Sequence, residues 1–148
     1  MRVFNSYGSK ERLFEMMKRV NKINEEVLSQ EERNEITNKF VDFADNELDL
    51  KGNHPKINLS YDEKIAQDMK SFGRFIPETD EILVVASNRG IADILRTVAH
   101  EMVHHKQRIE NKLNPNSGET GSPEENEANA LAGALMRDFG KNNPIIFE

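Results

Sequence analysis

Apolar residues recur at helical spacing in four stretches of the chain, and three shorter stretches read as strands. Leu13, Met16, Met17, Val20, Ile23 and Val27 share one face of a predicted helix over residues 9–28, with Ser9 placed to cap it. A second helix is expected from about Glu31 to Leu48, its apolar face made of Ile36, Phe40, Val41, Phe43 and Ala44. Asp49 to Lys56 carries Gly52 and Pro55 and reads as a connector. Ile57 to Tyr61 alternates as a short strand would. Residues 72–86 are predicted to form a hairpin: Phe72 to Ile76, a turn at Pro77-Glu78-Thr79-Asp80, then Glu81 to Ala86. The clearest helix follows, from Ile91 to about Asn111, with Ile91, Ile94, Leu95, Val98, Met102 and Ile109 on one face. A loop from Asn114 to Gly121 leads to Ser122-Pro123, the N-cap and first residue of a last helix. That helix turns Ala128, Leu131, Ala132, Leu135, Met136 and Phe139 inward and is expected to end at Gly140. The order α-α-β-β-β-α-α is that of an α+β protein with a small antiparallel sheet. Residues 1–50 are expected to be a helical segment packed on or covering a core formed by 51–148.

Composition narrows the function. A chain of 148 residues fits one domain. Twenty Lys+Arg against 26 Asp+Glu leave a net charge of −6, so no basic excess is available to displace counterions from a nucleic acid. The longest apolar run, Ile82 to Ala86, is far too short to cross a bilayer, and the N-terminus shows no apolar signal region. The expectation is a soluble, cytoplasmic protein with neither nucleic acid nor membrane as partner. Cysteine is absent, which removes disulfides, thiol nucleophiles and every Cys-based metal site. Any metal must be held by His, Asp or Glu.

One motif carries chemistry. His100-Glu101-Met102-Val103-His104 is an H-E-x-x-H sequence within the clearest predicted helix. Histidines at i and i+4 stand one turn apart on one face, so both imidazoles can converge on one ion. Glu101 is rotated about 100° from His100, which directs it toward a water on that ion rather than toward the ion itself. A solvated helix face would give the same projection, because both histidines point away from the apolar stripe. The motif's rarity by chance favours the metal.

A zinc site needs a third protein ligand and an open position. Gln107 and Glu110 stand where a longer motif would place glycine and a third histidine, and only His105 and His54 remain among the histidines. A carboxylate from the last helix is therefore expected, and that helix offers Glu124, Glu125 and Glu127. Its apolar face puts Glu124 and Glu125 each about 50° from the buried stripe and Glu127 about 110° away, in solvent. Ser122-x-x-Glu125 is also a capping box, which by itself accounts for Glu125. Periodicity does not separate Glu124 from Glu125.

The H-E-x-x-H at 100–104, followed by Glu125-Asn126-Glu127-Ala128-Asn129, resembles the gluzincin group of zinc metallopeptidases. The E-x-E-A-N form is especially similar to the small metalloproteases that cleave phage repressors. The stretch from Phe72 to Phe139, with Asn88-Arg89-Gly90 and Arg96-Thr97, also resembles zincin-like proteins of tailed bacteriophages. The resemblance implies a zincin-like metallopeptidase domain over 51–148, with an active-site helix and a glutamate helix, and the host cytoplasm as location if phage-encoded. It implies one zinc per chain, held by His100, His104 and Glu125, and Glu101 as general base. Asn129 would then hydrogen-bond a ligand, and the strand Glu81 to Ala86 would be the edge to which an extended peptide or protein substrate adds.

In that scheme zinc lowers the pKa of its water toward ~7, Glu101 takes the proton, and the tetrahedral oxyanion needs a further donor. Tyr61, Arg89 and His105 are candidates. Other classes compete: a zincin-fold binding or virion protein with little activity, and, ranked below it, a DNA-linked protease. An intact Glu101 favours the enzyme, because a purely structural zinc needs no general base.

Overall fold

The computed structural model describes residues 28–111 and 120–147. The predicted helix over 9–28 and most of the Asn114–Gly121 loop lie outside the described residues. Contacts divide the chain into two units, Met1–Glu35 and Ile36–Glu148. The core and the site described below belong to the second.

Helix α1, Gln30–Glu47, starts at a reciprocal cap: the Glu32 amide donates to Ser29 Oγ (3.1 Å) and the Ser29 amide to Glu32 Oε1 (3.2 Å). Its apolar face enters the core, where Phe40 and Ala44 have no exposed surface and the Phe40 ring meets Phe139 edge-on at 5.1 Å. Strand β1, Lys56–Ser60, follows the connector; α2, Glu63–Asp68, is capped by the Asp62 carboxylate, which accepts from the Lys64 amide. Strands β2, Gly73–Ile76, and β3, Glu81–Val85, form the expected hairpin. Helices α3, Ile91–Ile109, and α4, Pro123–Asn142, complete the fold, with a 3-10 turn at Pro144–Phe147. The architecture is mixed α+β.

The sheet corrects two expectations. It is mixed rather than antiparallel: β1 pairs with β3 in parallel, Ile57 opposite Ile82 and Leu59 opposite Val84. Residues 61–80 supply the long crossover that a parallel pair requires, and such non-local pairing leaves no trace in local periodicity. The order β1-β3-β2 makes β3 the central strand. Glu81 to Val85 is therefore bonded on both sides and cannot be the edge that receives a peptide. The edges of the sheet are β1 and β2, of which β2 adjoins the cleft described below.

One face of the sheet lies on α3. Ile82 and Val84 are fully buried, as are Ile94, Leu95, Val98, Ala99, Met102 and Val103 along the helix. Gly73 and Phe75, paired with Val84 and Ile82, share that face of β2. At about 100° per residue, Thr97, Glu101 and Arg108 fall together on the flank of α3 beside the core stripe. His100, His104 and Gln107 fall on the next flank. The helix thus presents its would-be base to β2 and its histidines to α4.

Candidate metal centre

His100 and His104 project from the middle of α3, and α4 brings Glu125 to them from its first turn. The Glu125 carboxylate divides between the rings: Oε1 lies 3.0 Å from His100 Nε2 and Oε2 lies 3.0 Å from His104 Nε2. The two Nε2 atoms are themselves 3.0 Å apart. One ring proton can serve only one of these three contacts. A cation at their centre satisfies all of them, and ligands about 2.0–2.1 Å from a tetrahedral zinc stand about 3.3 Å from one another. Among the described residues this is the one group of three or more His, Asp or Glu side chains close enough to hold an ion. The donor set fits zinc in both chemistry and spacing.

Ser122 caps the helix. Ser122 Oγ accepts from the Glu125 amide at 3.1 Å, while the Glu125 side chain turns to the histidines. Glu125 is therefore cap and candidate ligand at once. Glu127 is exposed and does not join the cluster, as expected from its angle.

Behind His104 stands Gln107, which is 1% exposed. Its Oε1 is 2.7 Å from His104 Nδ1, and its Nε2 donates to the Glu124 carbonyl (2.9 Å) and to Glu127 Oε1 (2.8 Å). Asn129, the partner implied by the resemblance, is exposed on the outer side of α4 and makes no bond to either histidine. In the sequence Gln107 stands out only as a departure from a longer motif. Its signal was position: three residues after His104, on the same flank of the helix.

Glu101 packs against the backbone of β2. A Cβ on Gly73 would lie 2.9 Å from Glu101 Cγ and 2.9 Å from Thr97 Cγ2, so the close approach of helix and strand depends on glycine there. Burial pushes the Glu101 carboxyl above the usual carboxylate range, against the opposing pull of His100, His104 and Arg108. Arg108 stacks on the Phe75 ring at 4.0 Å, on the same side of the helix. A cleft of about 340 Å³ opens between residues 71–73 and the first half of α3, with Arg89, His100 and Glu101 in its wall.

The three candidate oxyanion donors separate. Arg89 lies in the cleft, its guanidinium 4.0 Å from the Phe72 ring and bonded to Thr97 Oγ1 at 2.8 Å. His105 is buried and its Nε2–H donates to the Asn53 carbonyl at 2.9 Å, so it serves the connector instead. Tyr61 follows β1 and does not line the cleft.

No protein-family model, curated protein or solved structure matches the chain. No helix among the described residues is long and apolar enough to cross a membrane.

Proposed function

We propose that this chain is a zinc-dependent peptidase of gluzincin type, in a zincin-like domain, acting on an extended peptide. The observation that carries the reading is the convergence of His100 Nε2, His104 Nε2 and both Glu125 oxygens at 3.0 Å, with a half-buried Glu101 on the neighbouring flank of the same helix. His100, His104 and Glu125 would hold the ion. When bound, zinc supplies Lewis acidity toward a carbonyl and a water made acidic near neutral pH.

The remaining work falls to side chains present in the cleft. Glu101 takes a proton at a carboxylate oxygen from the attacking water and returns it to the leaving amine nitrogen. Burial suits it to both steps, because a carboxyl raised above its ordinary range gives up less driving force when it accepts the proton. The exposed edge of β2 offers main-chain donors and acceptors to an extended substrate, as an edge strand does in β-addition. Arg89 and Arg96 are the cationic groups in the cleft wall, and Arg89 is held there by bonds to the Val85 and Asp93 carbonyls and to Thr97 Oγ1.

Metal content measured by plasma mass spectrometry on untagged protein tests the site. About one zinc per chain is expected, lost in His100→Ala and Glu125→Ala. Glu101→Gln should retain the zinc and lose at least about a hundredfold in hydrolysis of a peptide library. A wild-type protein that takes up no zinc sinks the reading, and undiminished hydrolysis by Glu101→Gln sinks the role of Glu101.

A further inference from the structure

We infer that Gln107 is the positioning residue of the metal centre: its one amide fixes the ring of His104 and sets the register of α4 that turns Glu125 inward. The inference rests on the zinc reading above and assigns to Gln107 the part that the resemblance gave to Asn129.

The hydrogen bonds leave the amide one orientation. Its nitrogen is 2.9 Å from the Glu124 carbonyl and 2.8 Å from Glu127 Oε1, and both of those atoms only accept. The NH2 group must therefore face α4, which leaves Oε1 facing His104 Nδ1 at 2.7 Å. An amide oxygen only accepts, so His104 Nδ1 carries a proton. In the neutral ring the lone pair is then on Nε2, the atom that points at His100 and Glu125. Gln107 thus favours the tautomer whose free Nε2 can ligate a metal; Glu125 Oε2, 3.0 Å from that atom, only accepts as well, so the arrangement is complete with a cation between them. No equivalent bond reaches Nδ1 of His100 among the described residues, so the centre is oriented from the His104 side.

The same amide acts on α4. It holds the main chain at Glu124 and the side chain of Glu127, the positions on either side of Glu125. At about 100° per residue, a slip of one position would offer Glu124 or Asn126 to the histidines instead. Gln107 is 1% exposed, so these bonds are not traded against water and each lost partner is felt in full.

Two variants test the amide, one by removing its bonds and one by rebuilding those to His104 and to position 127. Gln107→Met keeps the length of the side chain and removes every bond. The double variant Gln107→Glu with Glu127→Gln keeps an acceptor at His104 and restores a bond between positions 107 and 127 with its direction reversed. Zinc affinity is read by competition with a chromophoric chelator, and the His104 tautomer by long-range nitrogen–proton NMR of the metal-free protein at pH 8. Gln107→Met should weaken zinc about tenfold to a hundredfold and move the His104 proton from Nδ1 to Nε2. The double variant should hold Nδ1–H and bind zinc within about threefold of wild type, and Asn129→Ala should leave both unchanged. Circular dichroism identifies a variant that fails to fold, and the other then decides. An unmoved proton in Gln107→Met, or its loss in the double variant, overturns the inference. If wild type binds no zinc, the peptidase reading fails while the tautomer still tests Gln107.

Discussion

Glu124, Glu125 and Glu127 share the start of one helix, and direction separates them. Only Glu125 sends its carboxylate to the imidazoles; Glu124 contributes its carbonyl and Glu127 an oxygen, both to Gln107. Zinc titration should therefore rank three alanine variants. Glu125→Ala should lose high-affinity zinc, and Glu127→Ala should lose less than about tenfold, since it loosens a residue that acts one step from the ion. Glu124→Ala, which keeps its carbonyl, should match wild type; a Glu124→Ala protein stripped of metal would mean that α4 sits one residue out of this register. At this scale the sequence showed the motif and its direction, because a fixed rise and turn per residue make helix faces computable. It could not choose between Glu124 and Glu125, which are equally inclined to the core. Nor could it show that Gln107 rather than Asn129 meets His104, because that depends on how two helices approach each other.

The approach of α3 to β2 fixes the would-be base, and it depends on the missing side chain of Gly73. An added Cβ would meet both Glu101 Cγ and Thr97 Cγ2 at 2.9 Å, closer than packed carbons come. Gly73→Ala should bind zinc like wild type, since the atoms an added Cβ would meet first belong to Glu101 and Thr97 and not to His100, His104 or Glu125. Its kcat should fall about tenfold to a hundredfold, because displacing a proton-transfer group by part of an ångström is enough to cost that. A variant with unchanged kcat would detach Gly73 from Glu101. The elements themselves were largely legible: α1, α3, α4 and the hairpin follow their apolar periods to within a few residues. Helix α2 was missed because it buries no residue and so has no stripe; Asp62 followed by Glu63 was its one signal. The parallel β1–β3 pair was missed because it joins strands far apart in sequence, and with it the identity of the edge strand.

Across the unit Ile36–Glu148, the elements are joined away from the candidate metal centre by a second set of contacts. Phe40 on α1 meets Phe139 on α4, and the end of α1 is tied to the connector where Asp45 takes the Gly52 amide at 3.0 Å. His105 completes the tie by donating from Nε2 to Asn53, which fastens the connector to α3. Burial pushes the His105 pKa below its ordinary value; the Asn53 bond and Asp80 favour the charged ring, while Arg108 and His54 oppose it. The folded protein therefore keeps His105 neutral at a pH where the unfolded chain takes up a proton. The consequence for stability has a definite sign. Above the unfolded value, about 6.5, both states are neutral and the tie is intact. As pH falls below it, unfolding gains a proton and stability declines, by at most ~1.4 kcal/mol per pH unit, until the depressed folded value is reached. Denaturant titrations at pH 7.5 and 5.5 isolate this if the protein is kept metal-free with a chelator, because zinc binding is itself proton-linked. His105→Gln retains a donor for Asn53 and cannot titrate. Wild type should lose more stability between the two pH values than this variant does, and equal losses would place the acid sensitivity of the fold elsewhere than at His105.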